Sequence, residues 1–433
     1  MNRRNAALLA TLAFVISLGF GAIGPILPYY LIYLEGGLKT LPEELGTISK
    51  ASNYAMEFGL MMSAFMFTRA LLARYFGSKS DKIGRKRIIV AGSAFYSLIA
   101  YAYIMATSNL HLYLIRAFQG AASAMVWPVA EALLMDSVEE EKRGRIMALY
   151  MMTTNLAMMI GPAVGAGLYK VGVGFLGIKD VGWALRFPFL SLAVISAISI
   201  PISLMLKEAV VTRSDVTRLS DEDEVAPWVD RSIKVLYVMG LANGFAMGFA
   251  APLMSIYIIQ FISADPAAIA LVMTISSLIG MSFAYPAGRL SDKVGRRPLI
   301  IAGGIISRLS TLMVPLVKDL VGLTVISTIR SVAFNSYIPS FRALQADLAP
   351  PKIRGKVFGT VQAMFNVGAM MGPVIGGYLY QLYAAKKLTL GGVSFPGEAL
   401  SFWVSAIIGF ISITLFVLMV EDPKSRKKKV SNF

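Results

Sequence analysis

The sequence predicts an all-α membrane protein in which twelve transmembrane helices form two pseudo-symmetric six-helix bundles. Three observations carry this expectation. Hydrophobic residues make up 56% of a 433-residue chain, and the mean hydropathy of +0.66 exceeds what a soluble core of this length needs. The residues Gly77-Ser-Lys-Ser-Asp81-Lys-Ile-Gly84-Arg85-Lys86-Arg87 return 211 positions later as Gly288-Arg-Leu-Ser-Asp292-Lys-Val-Gly295-Arg296-Arg297-Pro298. At the same offset Asp136, Arg143-Gly144 and Gly161-Pro162 find partners in Asp347, Arg354-Gly355 and Gly372-Pro373. A repeat held in register across four landmarks is a duplication.

Crossing about 30 Å of hydrocarbon takes about 20 apolar residues as a helix. In the first half such windows fall at 8–34, 52–76, 88–107, 110–136, 146–170 and 184–206. In the second they fall at 232–262, 267–287, 299–317, 320–346, 357–383 and 399–420. Lipid offers no water to an open backbone, and the alternating pattern of a barrel is missing, so each window reads as a helix. The eleven-residue motif forms the loop between spans 2 and 3, and its copy the loop between spans 8 and 9. Lys142 to Arg145 divides spans 4 and 5, and Lys352 to Lys356 divides spans 10 and 11. The organisation is therefore an N-terminal bundle over 1–206, a linker over 207–231 and a C-terminal bundle with a basic tail over 232–433. The linker, with Arg213-Ser-Asp, Ser220-Asp-Glu-Asp-Glu224 and Pro227, is the most hydrophilic stretch. It is expected to be local amphipathic helix or disorder without a binding site.

Orientation follows from the basic residues. One side carries Arg3, Arg4, both motifs, Lys142 to Arg145, Lys207 to Lys234, Lys352 to Lys356 and Lys424 to Lys429. The other carries only Lys39, Lys50, Lys170, Lys179, Lys318, Lys386 and Lys387 outside the spans. The positive-inside rule then places both termini and both motifs in the cytoplasm of a multi-pass protein of the cell membrane. That asymmetry accounts for a net charge of +16 without nucleic acid as a partner, and the basic tail is expected against anionic lipid. Arg3-Arg4 leads straight into a full-length span, so no cleavable leader is expected. With no cysteine and only His111, thiol catalysis, a zinc site and a Ser-His-Asp hydrolase are excluded. No nucleotide-binding Gly-x-x-x-x-Gly-Lys loop occurs. The chain is not expected to be an enzyme or to hold a metal or cofactor.

Over essentially its whole length the chain resembles transporters of the major facilitator superfamily. The G-x-x-x-D-x-x-G-R-[KR]-[KR] motif at Gly77, Asp81, Gly84 and Arg85 carries the resemblance, as do Asp292 and Arg296 in its copy. In that family the loop locks the outward-open state, which implies Asp81 near Lys356 and Arg85 against Asp136. By repeat symmetry Arg296 has Asp347 as the corresponding acid. The bland alternative is that these charges only set topology. Gly19-Phe-Gly21-Ala-Ile-Gly24-Pro25-Ile-Leu-Pro28 in span 1 and Gly161-Pro162-Ala-Val-Gly165 in span 5 resemble the twelve-helix drug/proton antiporters. There the span 5 pattern marks exporters and kinks the helix at the contact between halves. Generic small-residue packing is the other reading, since Gly372-Pro373-Val-Ile-Gly376 repeats the pattern in span 11.

Span 4 carries a polar stripe. At 100° per residue Arg116, Gln119, Gly120, Ser123, Trp127 and Glu131 share one arc. Such a stripe should face a water-filled cavity, because a charge in lipid costs about 2.5 to 3.5 kcal/mol. Arg116-x-x-Gln119-Gly120 matches the family motif whose arginine is linked to proton coupling; the alternative is a structural hydrogen-bonder. Glu131 lies about 7.5 Å inside the end of its helix, deep enough for burial to favour its protonated form, and is the preferred proton carrier. Arg342 holds the repeat-equivalent position in span 10, and family geometry implies that the two meet when the cytoplasmic gate closes; the alternative is that each pairs elsewhere as static structure. Arg330, Phe334, Tyr337 and Phe341 share a face of span 10, either a cavity wall or packing. Glu57 in span 2 is a second candidate proton site. Tyr29, Tyr30 and Tyr33, near the end of span 1, fit an outer aromatic belt, with cavity lining as the alternative, and Arg69, Arg186 and Arg308 fit snorkelling to interfaces.

The expected protein is a monomeric secondary transporter that exports drugs or other amphipathic small molecules in exchange for protons by alternating access. A proton gradient would be its energy source. The alternative is a lipid or lysolipid flippase, or an exporter of an endogenous metabolite, without obligatory proton coupling.

Overall fold

In the computed structural model, residues 3–43, 46–48, 50–208, 227–350, 353–390 and 393–420 are described. Most of the linker and the basic tail lie outside these residues, and with them the expectations placed there. The chain forms two compact units. One comprises Met1–Ser214 with Ser255–Thr274, and the other Asp215–Met254 with Ile275–Phe433.

The first unit holds α1 (Arg3–Ile23), α2 (Leu27–Leu34), α3 (Ala55–Ile83), α4 (Arg85–Met105), α5 (Asn109–Asp136), α6 (Arg143–Lys170), α7 (Val181–Ala197) and α8 (Ser199–Leu204). The first predicted span is thus broken between Ile23 and Leu27, where Gly24-Pro25 removes a backbone donor from the helical ladder. Two helices, α9 (Pro227–Phe261) and α10 (Pro266–Ser282), run from one unit into the other. Their adjoining ends join the first unit, where Lys170 Nζ lies 2.5 Å from Asp265 Oδ2. The second unit adds α11 (Ala284–Val294), α12 (Arg296–Met313), α13 (Leu320–Leu348), α14 (Arg354–Tyr383) and α15 (Glu398–Met419). A short antiparallel hairpin, β1 (Lys387–Leu390) with β2 (Val393–Pro396), links the last two helices.

The repeated motif departs from the expected loop. Helix α3 runs on through Gly77 and Asp81 to Ile83, and only Gly84, at φ +101°, separates it from α4. Gly295, at φ +104°, separates α11 from α12 in the same way. A left-handed residue between two helices favours glycine because a Cβ there clashes with the backbone. Gly77 and Gly288 are helical and have open space where a Cβ would stand. Two of the four motif glycines therefore serve the turn.

Among the described residues nine helical segments are long and apolar enough to cross a membrane. Helices α5, α13 and α14, of 28, 29 and 30 residues, match the others in length. Their composition differs: α5 carries Arg116, Gln119 and Glu131, and α13 carries Arg330, Asn335 and Arg342. Large side chains such as Leu98, Val194 and Leu418 are 61, 66 and 73% exposed, a pattern that suits hydrocarbon as solvent and would be an aggregation hazard in water.

Small residues bring helices together inside each unit. A Cβ on Gly161 of α6 would stand 2.7 Å from Gly21 Cα of α1, and one on Gly165 would meet the Ala22 carbonyl. In the second unit a Cβ on Gly372 of α14 would stand 2.5 Å from the Phe245 oxygen of α9. The Gly-Pro pattern of spans 5 and 11 thus lets the first and fifth long helices of each repeat meet backbone to backbone.

Candidate functional site

Each unit holds a guanidinium cluster inside its helices. In the first, Arg116 of α5 is 3% exposed. Its Nη1 donates to Gln119 Oε1 at 2.9 Å, and Tyr103 of α4 donates to the same oxygen at 3.1 Å. Nη2 donates to Met62 Sδ at 3.1 Å. The rings of Phe20 and Phe65 lie 5.6 and 5.7 Å from the guanidinium carbon, within range of cation–π attraction. Gly120, next in the motif, lets α5 lie close on α3, since its Cβ would stand 3.1 Å from the Arg69 nitrogen. Ser123, fully buried, and Trp127, half-buried, lie beside Tyr96 of α4.

Among the described residues no carboxylate lies within ion-pair distance of Arg116. Glu131, half-buried one turn above the end of α5, has Arg69 of α3 as the cation acting on its carboxyl. Arg69, read from sequence as an interface residue, is therefore part of the Glu131 environment. Glu57 sits in the first turn of α3 near Tyr54 and Tyr113. Its Oε2 is enclosed without a hydrogen-bond partner among the described residues.

At the motif, Arg85 Nη1 lies 2.9 Å from Asp136 Oδ2, with Asp81 Oδ1 at 3.3 Å on its other side. The copy repeats this: Arg296 pairs with Asp292 and, at 3.5 Å, with Asp347. A residue not singled out from sequence completes the first of these sites. Glu208 accepts from the backbone nitrogens of Arg85 at 2.7 Å and Lys86 at 3.1 Å, where the helix dipole favours an anion. Lys207 beside it exchanges hydrogen bonds with Asn5 at 2.8 and 3.0 Å. Nearby, the hydrogen bond from Lys142 holds the Glu139 carboxyl below the usual carboxylate range.

In the second unit a cavity of about 190 Å³, open to one side and lined by both polar and apolar groups, lies among α9, α12, α13 and α15. Arg308 and Arg330 both line it, with Asn243, Ser331, Phe334 and Ser405. Arg308 is 8% exposed, so it does not snorkel to an interface. Its Nη2 donates to Asn243 Oδ1 at 2.6 Å, and Asn243 Nδ2 donates to Tyr337 Oη at 2.8 Å. Gly409 of α15 makes the room, because a Cβ there would run into the Arg308 guanidinium. Its depth was available in the sequence: position 308 lies midway along the predicted span 299–317, beyond easy reach of either end. Phe334 reaches the cavity, whereas Tyr337 and Phe341 stack at 5.3 Å inside the apolar core of this unit. Arg342 is exposed on α13.

The outer tyrosines also differ from expectation. Tyr29 and Tyr30 have no exposed surface, so they are not a belt. Tyr30 donates to the Tyr103 carbonyl at 2.8 Å and accepts from Arg186 Nε at 3.3 Å, a structural bond.

Two repeated helical units with long apolar helices, each burying arginine chemistry in its interior, define a polytopic membrane protein with polar internal sites. A family model for the Major Facilitator Superfamily matches residues 9–235 and again 236–433. The chain belongs to that superfamily, whose members are transporters of small molecules and not enzymes. It is 24% identical over 381 residues to Multidrug resistance protein 2 of Bacillus subtilis (strain 168), covering 85% of this chain and 87% of that protein. It is 24% identical over 388 residues to Multidrug resistance protein MdtG of Klebsiella pneumoniae (strain 342), covering 87% of each. In fold it is similar to the solved structure of a bacterial homolog of the human lysosomal transporter Spinster. The TM-score is 0.71 at 16% identity, covering 98% of this chain and 100% of that one.

Proposed function

We propose that the protein is a secondary active transporter that exports amphipathic small molecules in exchange for protons. The observation that carries this reading is the match, over 85% of the chain, to a relative named for multidrug resistance. The buried ionisable groups supply the means. Arg116 and Glu131 lie on one helix, and a carboxyl whose hydration and neighbours change between conformers binds its proton with a different affinity in each. Proton and substrate then compete by favouring different conformers, which is all that exchange requires.

On this reading twelve helices span the cell membrane as bundles 1–206 and 232–433 joined by the linker 207–231, with both termini cytoplasmic. The bundles alternate access to the substrate, and the Arg85–Asp136 and Arg296–Asp347 pairs hold the gate elements. Asp81 reaches Lys356, and Glu131 reaches Arg342, in the outward-facing state. The working form is a monomer driven by the proton gradient, without a cofactor.

The test is uptake of a fluorescent amphipathic drug into inside-out proteoliposomes with an acid lumen. Accumulation that collapses on adding a protonophore is expected. No uptake by folded protein, or uptake indifferent to the protonophore, would refute proton-coupled export.

A further inference from the structure

The cavity of the second unit presents two guanidinium groups and no acid. None of its lining residues is Asp or Glu, and among the described residues no carboxylate lies within ion-pair distance of Arg308 or Arg330. The two arginines act on each other as like charges. An arginine cannot escape this by losing its proton, so the positive charge persists at every physiological pH.

The donors are equally unmatched. Each guanidinium carries five N–H groups. Arg308 spends two, on Asn243 and Ser307, and its buried Nε has no partner. Arg330 makes no hydrogen bond among the described residues. The surrounding hydroxyls are in part committed already: Thr311 donates to the Ser307 carbonyl at 2.9 Å, and Ser405 to the Ala246 carbonyl at 3.4 Å. What the cavity lacks is negative charge with several acceptor lone pairs, which is the chemistry of an oxyanion.

The cavity is also shaped for more than an inorganic ion. Phe334, Met247, Ala246 and Ala250 give part of its wall an apolar character, and about 190 Å³ admits a head group with a small apolar or aromatic body. Arg308 is held in place by the chain Arg308–Asn243–Tyr337, so its orientation is set before any ligand arrives. Arg330, half-buried, is the free arm that can close on the ligand.

We propose that this cavity is an organic-anion site in which Arg308 and Arg330 jointly bind a carboxylate or phosphate head while Phe334 packs on the apolar body. The site names the charge of the transported substrate, and in that sense rests on the transporter reading. Lipophilic cations, which two unpaired arginines repel, are excluded from it.

The test uses the full-length protein in nanodiscs of neutral lipid. It is titrated calorimetrically with para-butylbenzoate, para-butylphenyl phosphate and para-butylphenyltrimethylammonium, and the signal of protein-free nanodiscs is subtracted. At least one anion is expected to bind about tenfold or more tighter than the cation, a gap of about 1.4 kcal/mol. The tighter of the two anions tells a carboxylate ligand from a phosphate one. Arg330→Gln should abolish that preference and Arg330→Lys should keep part of it. Because Arg330 makes no internal hydrogen bond, both variants should fold, which an unchanged melting temperature checks. Equal or tighter binding of the cation overturns the proposal, as does an anion affinity untouched by Arg330→Gln. Inorganic phosphate binding as tightly as the aryl anions would reduce the site to an adventitious ion site and also overturn it. No gradient enters this assay, so drug uptake that fails while anion binding persists refutes the exporter reading alone.

Discussion

Replacing Gly161 by alanine tests whether the Gly-Pro pattern of α6 is a packing device. A Cβ at this position would stand 2.7 Å from Gly21 Cα, 2.9 Å from Ala22 N and 2.9 Å from Gly21 C, all backbone atoms of α1. Ordinary carbon contacts are about 3.5 to 4.0 Å, so α1 and α6 must separate by about 1 Å or bend. Forcing extra atoms into a packed interface costs about 1 to 3 kcal/mol. Alanine also gains about 1 kcal/mol over glycine inside a helix, which blurs the single measurement. Gly167, two turns along the same helix, removes that ambiguity, because it is exposed and a Cβ there meets nothing within 4 Å. The propensity gain cancels between the two variants, leaving Gly161→Ala less stable than Gly167→Ala by about 1 to 3 kcal/mol. Gly167→Ala should itself equal or exceed the wild type. Reversible unfolding of the purified protein in mixed detergent micelles reads both. Equal stability of the two variants would refute the close approach of α1 and α6.

Four further outcomes are expected. A double-mutant cycle on Arg85→Gln and Asp136→Asn, followed by unfolding, should give a coupling of about 0.5 to 1 kcal/mol. The Arg296 and Asp347 pair, at 3.5 Å, should give less, and a larger value there would reverse the ranking drawn from the distances. Glu208→Ala removes the acceptor for two amides of the first turn of α4 and should cost about 1 kcal/mol. Hydrogen exchange at Arg85 and Lys86 should quicken, and unchanged protection would show that the cap does not hold that turn. Tyr337→Phe leaves buried Asn243 Nδ2 without its 2.8 Å partner, a loss of about 1 to 3 kcal/mol that thermal unfolding should register. Glu131→Gln should still bind drug but lose the pH dependence of transport, whereas retained pH dependence would move the proton site to Glu57 or elsewhere.

Much of the architecture was legible in one dimension because its causes are local or periodic. The apolar windows follow from the thickness of hydrocarbon, and the 211-residue offset follows from duplication. Together they placed the long helices, most of their ends to within a few residues, although α3 runs past its window to Ile83, α11 runs on to Val294, and breaks fall at Gly24-Pro25, Ile198 and Phe283. The Arg85 and Asp136 pair was implied by the resemblance to the transporter family, and not by hydropathy or spacing. The charges and glycines of the motif read as a break and predict a loop. Charged residues at a membrane surface sustain a helix as readily as a loop does, and only the φ of Gly84 and Gly295 marks the true interruption.

What the tertiary structure alone decided are the meetings between side chains far apart in sequence. The depth of Arg308 follows from its place midway along its span, but that Gly409, on another helix, leaves room for it and that Asn243 holds it are visible only in the packed structure. Tyr30 could be taken for a belt residue until the carbonyl of Tyr103 was found within 2.8 Å. Glu208 carried no signal, because a cap belongs to the helix it closes and that helix begins 123 residues earlier. Hydropathy and spacing report how a residue stands toward its own helix and its solvent. Whether a buried charge is answered, and by which atom, depends on the lateral packing of neighbouring helices, which no periodicity within a single helix encodes.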